Sequence, residues 1–146
     1  MCGLLSLWIL SACALQNGDD SNPIRPGKTT EADLRELRGT PKTIENVTVS
    51  ENGKIFCYER DERFQLEGGV VIAHFRAPER GAESTLQHWL QQWRGKRVEE
   101  RALTREDTPG LREFLVQEDG IAVWYDSARD RVARVVRFRA HSEAKR

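Results

Sequence analysis

Residues 111–139 read LREFLVQEDGIAVWYDSARDRVARVVRFR, and the class of fold follows from this run. Three stretches rich in β-branched and aromatic residues, 111–117, 121–126 and 132–139, are separated by Glu118-Asp119-Gly120 and by Ser127-Ala128-Arg129-Asp130. Short apolar runs bounded by turn-forming residues pair as antiparallel strands through tight connections. The run is therefore predicted to be a β-meander. Residues 98–103 offer a further strand with weak alternation.

Working outward, Leu86, Trp89, Leu90 and Trp93 recur at helical spacing between Ser84 and Gly95, which predicts an amphipathic helix. Two tryptophans on one face are expected to pack as core, where their burial contributes a few kcal/mol, rather than to form a cofactor shelf. Further upstream, residues 43–50, 54–59 and 70–76 have strand character. Asn52-Gly53 marks a tight hairpin between the first two, and Gly68-Gly69 a similar turn before the third. A short helix is predicted over residues 29–39. Thr30 and Asp33 stand in capping-box spacing, Gly39 and Pro41 end the helix, and Ala32, Leu34 and Leu37 form a thin apolar stripe.

The element order is helix, three strands, helix, then three or four strands. It predicts an α+β fold with two short helices packed on an antiparallel β-sheet, and it admits a tandem α-βββ arrangement with halves at 27–78 and 79–140.

The N-terminus has a different character. Residues 3–10 are apolar but far shorter than the ~20 residues of a membrane-spanning helix, and they match the size of a signal-peptide hydrophobic region. They run into Leu10-Ser11-Ala12-Cys13, which resembles the lipobox of bacterial lipoproteins, where small residues precede a cysteine whose thiol receives diacylglycerol. The expected organisation is a signal peptide over 1–13 with lipid attachment at Cys13, a flexible polar tether over 14–26, one domain over 27–140 and a tail over 141–146. No Lys or Arg precedes the apolar run, which departs from the usual export signal and points to a start codon upstream. By resemblance to the lipoprotein class, Ala14 after the cysteine implies sorting to the outer membrane.

The chain has 23 basic and 23 acidic residues among 146, so no overall field favours nucleic acid. A basic excess over residues 129–146 and an acidic one over 99–119 are expected to neutralise each other across the sheet. Of Cys2, Cys13 and Cys57, only Cys57 falls in the expected domain, so the fold rests on its core rather than on disulfides.

No metal-ligand spacing links His74, His88 or His141 to another ligand type, and neither a phosphate loop nor a nucleophile elbow is present. Cys57 and His74 lie on strands that allow a thiol–imidazole pair, but Ile55-Phe56-Cys57-Tyr58 is an apolar context in which cysteine behaves as a small hydrophobe. The expectation is no catalytic residue, no cofactor and no metal. Acidic pairs such as Glu99-Glu100 and Glu118-Asp119 are expected to be solvated.

The run from Ile24 to Leu34, the following Gly39-Thr40-Pro41, the strand bearing Tyr58 and the strand containing Phe75 resemble the SmpA/OmlA (BamE-like) group of small outer-membrane lipoproteins. Gly27-x-Thr29 and Gly39-x-Pro41 carry that resemblance, which covers residues 24–75 and consists mostly of turn and capping chemistry. The helix and meander after Pro78 depart from the usual small family domain and suit a doubled arrangement like that of β-lactamase-inhibitor-protein-like folds. The resemblance implies a non-enzymatic envelope protein, held in the outer membrane by lipid and facing the periplasm, that binds an envelope protein partner in outer-membrane assembly or maintenance. An inhibitor or immunity-type module that fills an enzyme's cleft is the alternative.

Overall fold

The computed structural model describes residues 23–47, 50–103 and 110–140. The first helix, α1 (Glu31–Arg38), forms where the capping chemistry places it. The Asp33 amide donates to the Thr30 hydroxyl at 3.2 Å, and the Asp33 carboxylate accepts from the Thr30 amide at 2.9 Å. These bonds satisfy amides that a helix start leaves without partners. Gly39 ends the helix at φ 78, a conformation that a side chain resists. Only Leu34 is buried along the helix, and it packs with Phe56, Phe64, Leu66 and Val71. Ile24 joins this cluster at 3% exposure, so packed structure begins inside the stretch expected to be tether.

Eight strands follow: β1 (Thr43–Asn46), β2 (Gly53–Cys57), β3 (Arg63–Glu67), β4 (Val70–Arg76), β5 (Glu99–Ala102), β6 (Leu111–Val116), β7 (Ile121–Asp126) and β8 (Arg131–Phe138). The second helix, α2 (Leu86–Gln92), separates β4 from β5. All strands belong to one antiparallel sheet of order β1-β2-β3-β4-β8-β7-β6-β5. Each half is a helix followed by a four-strand meander, and the halves join where β4 pairs with β8.

This overturns the expected α+β fold of two helices on a small sheet and the α-βββ unit. The molecule is mostly a single eight-stranded sheet that carries helices of only 8 and 7 residues. The difference lies in β3, which has no counterpart among the expected strands, and in β5, which matches the weakly alternating run over residues 98–103. β3 alternates correctly, with Phe64 and Leu66 buried, but it is five residues long and follows the charged run Glu59-Arg60-Asp61-Glu62, so its sequence resembles a turn. β5 has no buried residue; its backbone pairing with β6 holds it in place. Gly68 and Gly69, at φ 56 and 78, form the two-residue turn between β3 and β4. The turn expected at Asn52-Gly53 is longer than a tight hairpin, because β1 ends at Asn46 and β2 starts at Gly53.

Register defines two faces. Phe56 pairs with Phe64, Phe64 with His74, His74 with Arg137 and Arg76 with Val135, so these residues share one face. Leu34 of α1 and Trp89 and Trp93 of α2 pack on that same face, the latter two against Val116, Val123, Val132 and Val135. Each tryptophan carries 150–250 Å² of surface, so burial at ~25 cal/mol per Å² contributes a few kcal/mol. The Trp89 indole N–H donates to the Glu83 carbonyl at 2.8 Å, which satisfies its one polar atom. The opposite face carries a smaller cluster of Leu115, Ala122 and Val136, and no described helix covers it.

Candidate functional site

Cys13, the rest of residues 1–22 and His141 lie outside the described residues. The Cys57–His74 pair does not form. Alternation along β2 puts Cys57 one step beyond Phe56 and on the open face, whereas His74 lies on the helix face. Cys57 Sγ is 3.7 Å from the Glu45 carboxylate, and His74 is stacked on Phe64 with ring centroids 4.3 Å apart. Among the described residues, no group of three His, Cys, Asp or Glu side chains is placed to hold a metal ion. Trp89 and Trp93 are 6% and 4% exposed, and they are core. The basic C-terminal strand does not face the acidic segment directly, since β8 lies between β4 and β7; Arg134 instead reaches Asp61 of the first half at 3.7 Å.

Two features remain. The first is a cleft of about 860 Å³ at one end of the sheet, between the C-terminus of α1, the β2–β3 loop and the segment after β4. Its base is a polar chain. His74, 2% exposed, lies with Nε2 2.9 Å from Glu62 Oε1, and the other Glu62 oxygen lies 3.4 Å from Arg38 Nε. The His74 hydrogen bond, helped by Arg38, holds the Glu62 carboxyl below the usual glutamate range against the opposing effect of burial. Arg76 grips Glu83 through two bonds, at 2.8 and 3.0 Å, which likewise lowers the Glu83 carboxyl.

The loop that shapes this cleft is strained. Arg60 and Asp61 have φ of 56 and 62, and two successive non-glycine residues in that region persist only if their surroundings over-determine them. Several contacts do so. The Tyr58 hydroxyl donates to the Gly39 carbonyl at 3.1 Å, the Tyr58 amide to the Glu62 carbonyl at 2.8 Å, and Lys42 pairs with Glu59. Asp61 lies 3.7 Å from both Arg63 and Arg134.

The second feature is the open face itself. Phe75 and Trp124 meet edge to face at 5.8 Å, and with Phe138 they pack over Ala122, Val136 and Leu115. The three aromatic side chains are half-buried, and polar groups border them. The Trp124 indole donates to Glu113 at 3.1 Å, the Arg134 guanidinium stands 5.9 Å over the Trp124 ring, and Arg63 pairs with Phe75 across the ladder.

Neither feature is apparent from motif spacing, because both assemble residues from distant strands. A signal for the open face does exist. In β4, β7 and β8, apolar residues occupy both parities, as in Val71 with Ile72, or Val135 with Val136, and strands apolar on both sides imply a second apolar surface. The cleft has no comparable signature, since Arg38, Tyr58, Glu62 and Arg76 are ordinary surface residue types.

Compared with known protein families, curated proteins and solved structures, the chain matches none.

Proposed function

We propose that this is a non-enzymatic, lipid-anchored bacterial envelope protein that binds a partner protein through the open face of its sheet. The observation that carries the reading is the group of Phe75, Trp124 and Phe138, half-buried side by side on a face that no described helix covers. Aromatic residues with arginine at their border are what protein interfaces use as anchors. The leader ending at Cys13 supports the anchor, and no described helix is long and apolar enough to cross a membrane. The resemblance of residues 24–75 to BamE-like lipoproteins supports a role in outer-membrane assembly or maintenance.

The test is affinity capture of the lipidated full-length chain from envelope extract in mild detergent. One defined envelope protein is expected, and Phe75→Ala with Trp124→Ala should weaken its capture at least tenfold. Capture that ignores both substitutions would remove the open face from the reading. Intact mass of the membrane-fraction protein addresses the anchor separately: acyl chains at Cys13 support it, and a polypeptide that retains Met1 without fatty acid refutes it. An inhibitor role would instead give tight binding to a hydrolase without the anchor.

A further inference from the structure

The cleft at the end of the sheet is chemically distinct from the open face. Four arginines line it, Arg38, Arg60, Arg76 and Arg80, together with three glutamates. Most of these charges are already engaged. Glu62 is held by His74 and Arg38, Glu59 by Lys42, and Arg76 by Glu83. Among the described residues, Arg60 and Arg80 have no ion-pair partner, and on the acidic side only Glu79 lacks one, which leaves an excess of one positive charge in a concave site.

Geometry adds to this balance. Arg60 is carried on a backbone held in the left-handed region, at φ 56, by the pairs that flank it. Strain maintained by surrounding contacts is a mark of a functional position, because a relaxed loop would be easier to build. Glu62 and Glu83 restrain the neighbouring Arg38 and Arg76 guanidinium groups in advance, so binding there freezes less side-chain freedom. Guanidinium groups offer paired N–H donors in a planar fork that matches the oxygens of a phosphate.

We infer that this cleft binds a phosphate group, with Arg60 and Arg80 as its direct contacts and the glutamate-paired Arg38 and Arg76 as its fixed neighbours. The site is independent of the protein-binding reading, so either can fail alone.

The experiment is an NMR titration of the isotope-labelled full-length chain with inorganic phosphate at constant ionic strength, with chloride as the reference anion. Saturable shifts confined to residues 58–62 and 76–80 are expected. Arg60→Ala with Arg80→Ala should weaken the binding at least tenfold and leave the thermal midpoint unchanged, since both side chains are exposed. Arg60→Lys should retain part of it. Linear shifts that never saturate, or saturation that the double variant leaves intact, would overturn the inference.

A second arm identifies the source of the phosphate by comparing vesicles of phosphatidylglycerol with vesicles of phosphatidylcholine. A preference for the anionic vesicles that the double variant loses supports the site with a lipid headgroup as its ligand. No preference, alongside saturable inorganic phosphate, supports it with a soluble phosphate compound.

Discussion

The two halves of the sheet share an element order and differ in what holds their helices. α2 is held by mass: Trp89 and Trp93 cover four valines. α1 buries one side chain, Leu34, and is held at its start by hydrogen bonds. The Glu31 amide donates to the Gly69 carbonyl at 2.8 Å, the Gly27 amide to the Val71 carbonyl at 2.7 Å and the Val71 amide to the Thr29 carbonyl at 2.9 Å, so the segment before α1 is stitched to β4. Nearby lies the His74–Glu62–Arg38 chain, a polar network that runs from the buried His74 to the exposed Arg38. Within the same topology, α2 is thus fastened by apolar area and α1 by directional bonds beside one buried leucine. Apolar area tolerates small shifts, whereas directional bonds tie stability to protonation and to single atoms.

The largest test of this contrast is Trp93→Ala. It should cost about 3–5 kcal/mol in urea unfolding, whereas Leu34→Ala should cost about 2–3, because fewer atoms leave the core. Equal costs would show that α1 depends on packing as much as α2 does.

Turns give a second pair. At Gly120, φ is 63 and an added Cβ would collide with the Phe138 carbonyl oxygen, which belongs to the backbone and cannot step aside. Gly69 has φ 78 with nothing near. Gly120→Ala should cost about 3 kcal/mol and Gly69→Ala about 1 kcal/mol, the latter from backbone strain alone. Comparable costs at the two positions would mean that the second half yields around Gly120.

His74→Leu keeps an apolar filler but removes the partner of Glu62, and should cost about 2 kcal/mol at neutral pH. The same contact sets a pH dependence. The folded Glu62 carboxyl titrates below its ordinary value, so its stabilisation is present above the unfolded value of about 4.3 and is lost as pH falls through the lowered folded value. Between pH 5 and 3 the parent should therefore lose more stability than Glu62→Gln does, as read from urea midpoints. Parallel curves would remove Glu62 from the acid sensitivity of the first half.

The smallest effect concerns the caps. Thr30→Ala should cost about 1 kcal/mol, because it breaks a reciprocal box. Thr85→Ala should cost about half as much, since Thr85 accepts one bond at 3.3 Å and α2 is pinned by its tryptophans.

Much of the element pattern was legible along the chain. β4 and β7 occupy the residues that alternation marks, Thr30 and Asp33 form the box that their spacing predicts, and the tryptophans pack as core. β3 was not legible, and β5 only as the weakly alternating run over residues 98–103, for different reasons. Phe64 and Leu66 are two apolar positions between a charged loop and a double glycine, too few to distinguish a strand from a turn. Glu99-Glu100-Arg101-Ala102 has no apolar side at all, and becomes a strand because β6 offers it an edge.

The sites divide along the same line. Local chemistry within a few residues settled the helix starts and the turn at Gly68-Gly69, because capping and turn strain depend on near neighbours. Pairing between residues tens of positions apart settled the rest. It put Cys57 and His74 on opposite faces, brought Glu62 to His74, and set Phe75 beside Trp124. A strand's partner fixes which way each side chain points, and that partner cannot be read from the strand's own residues.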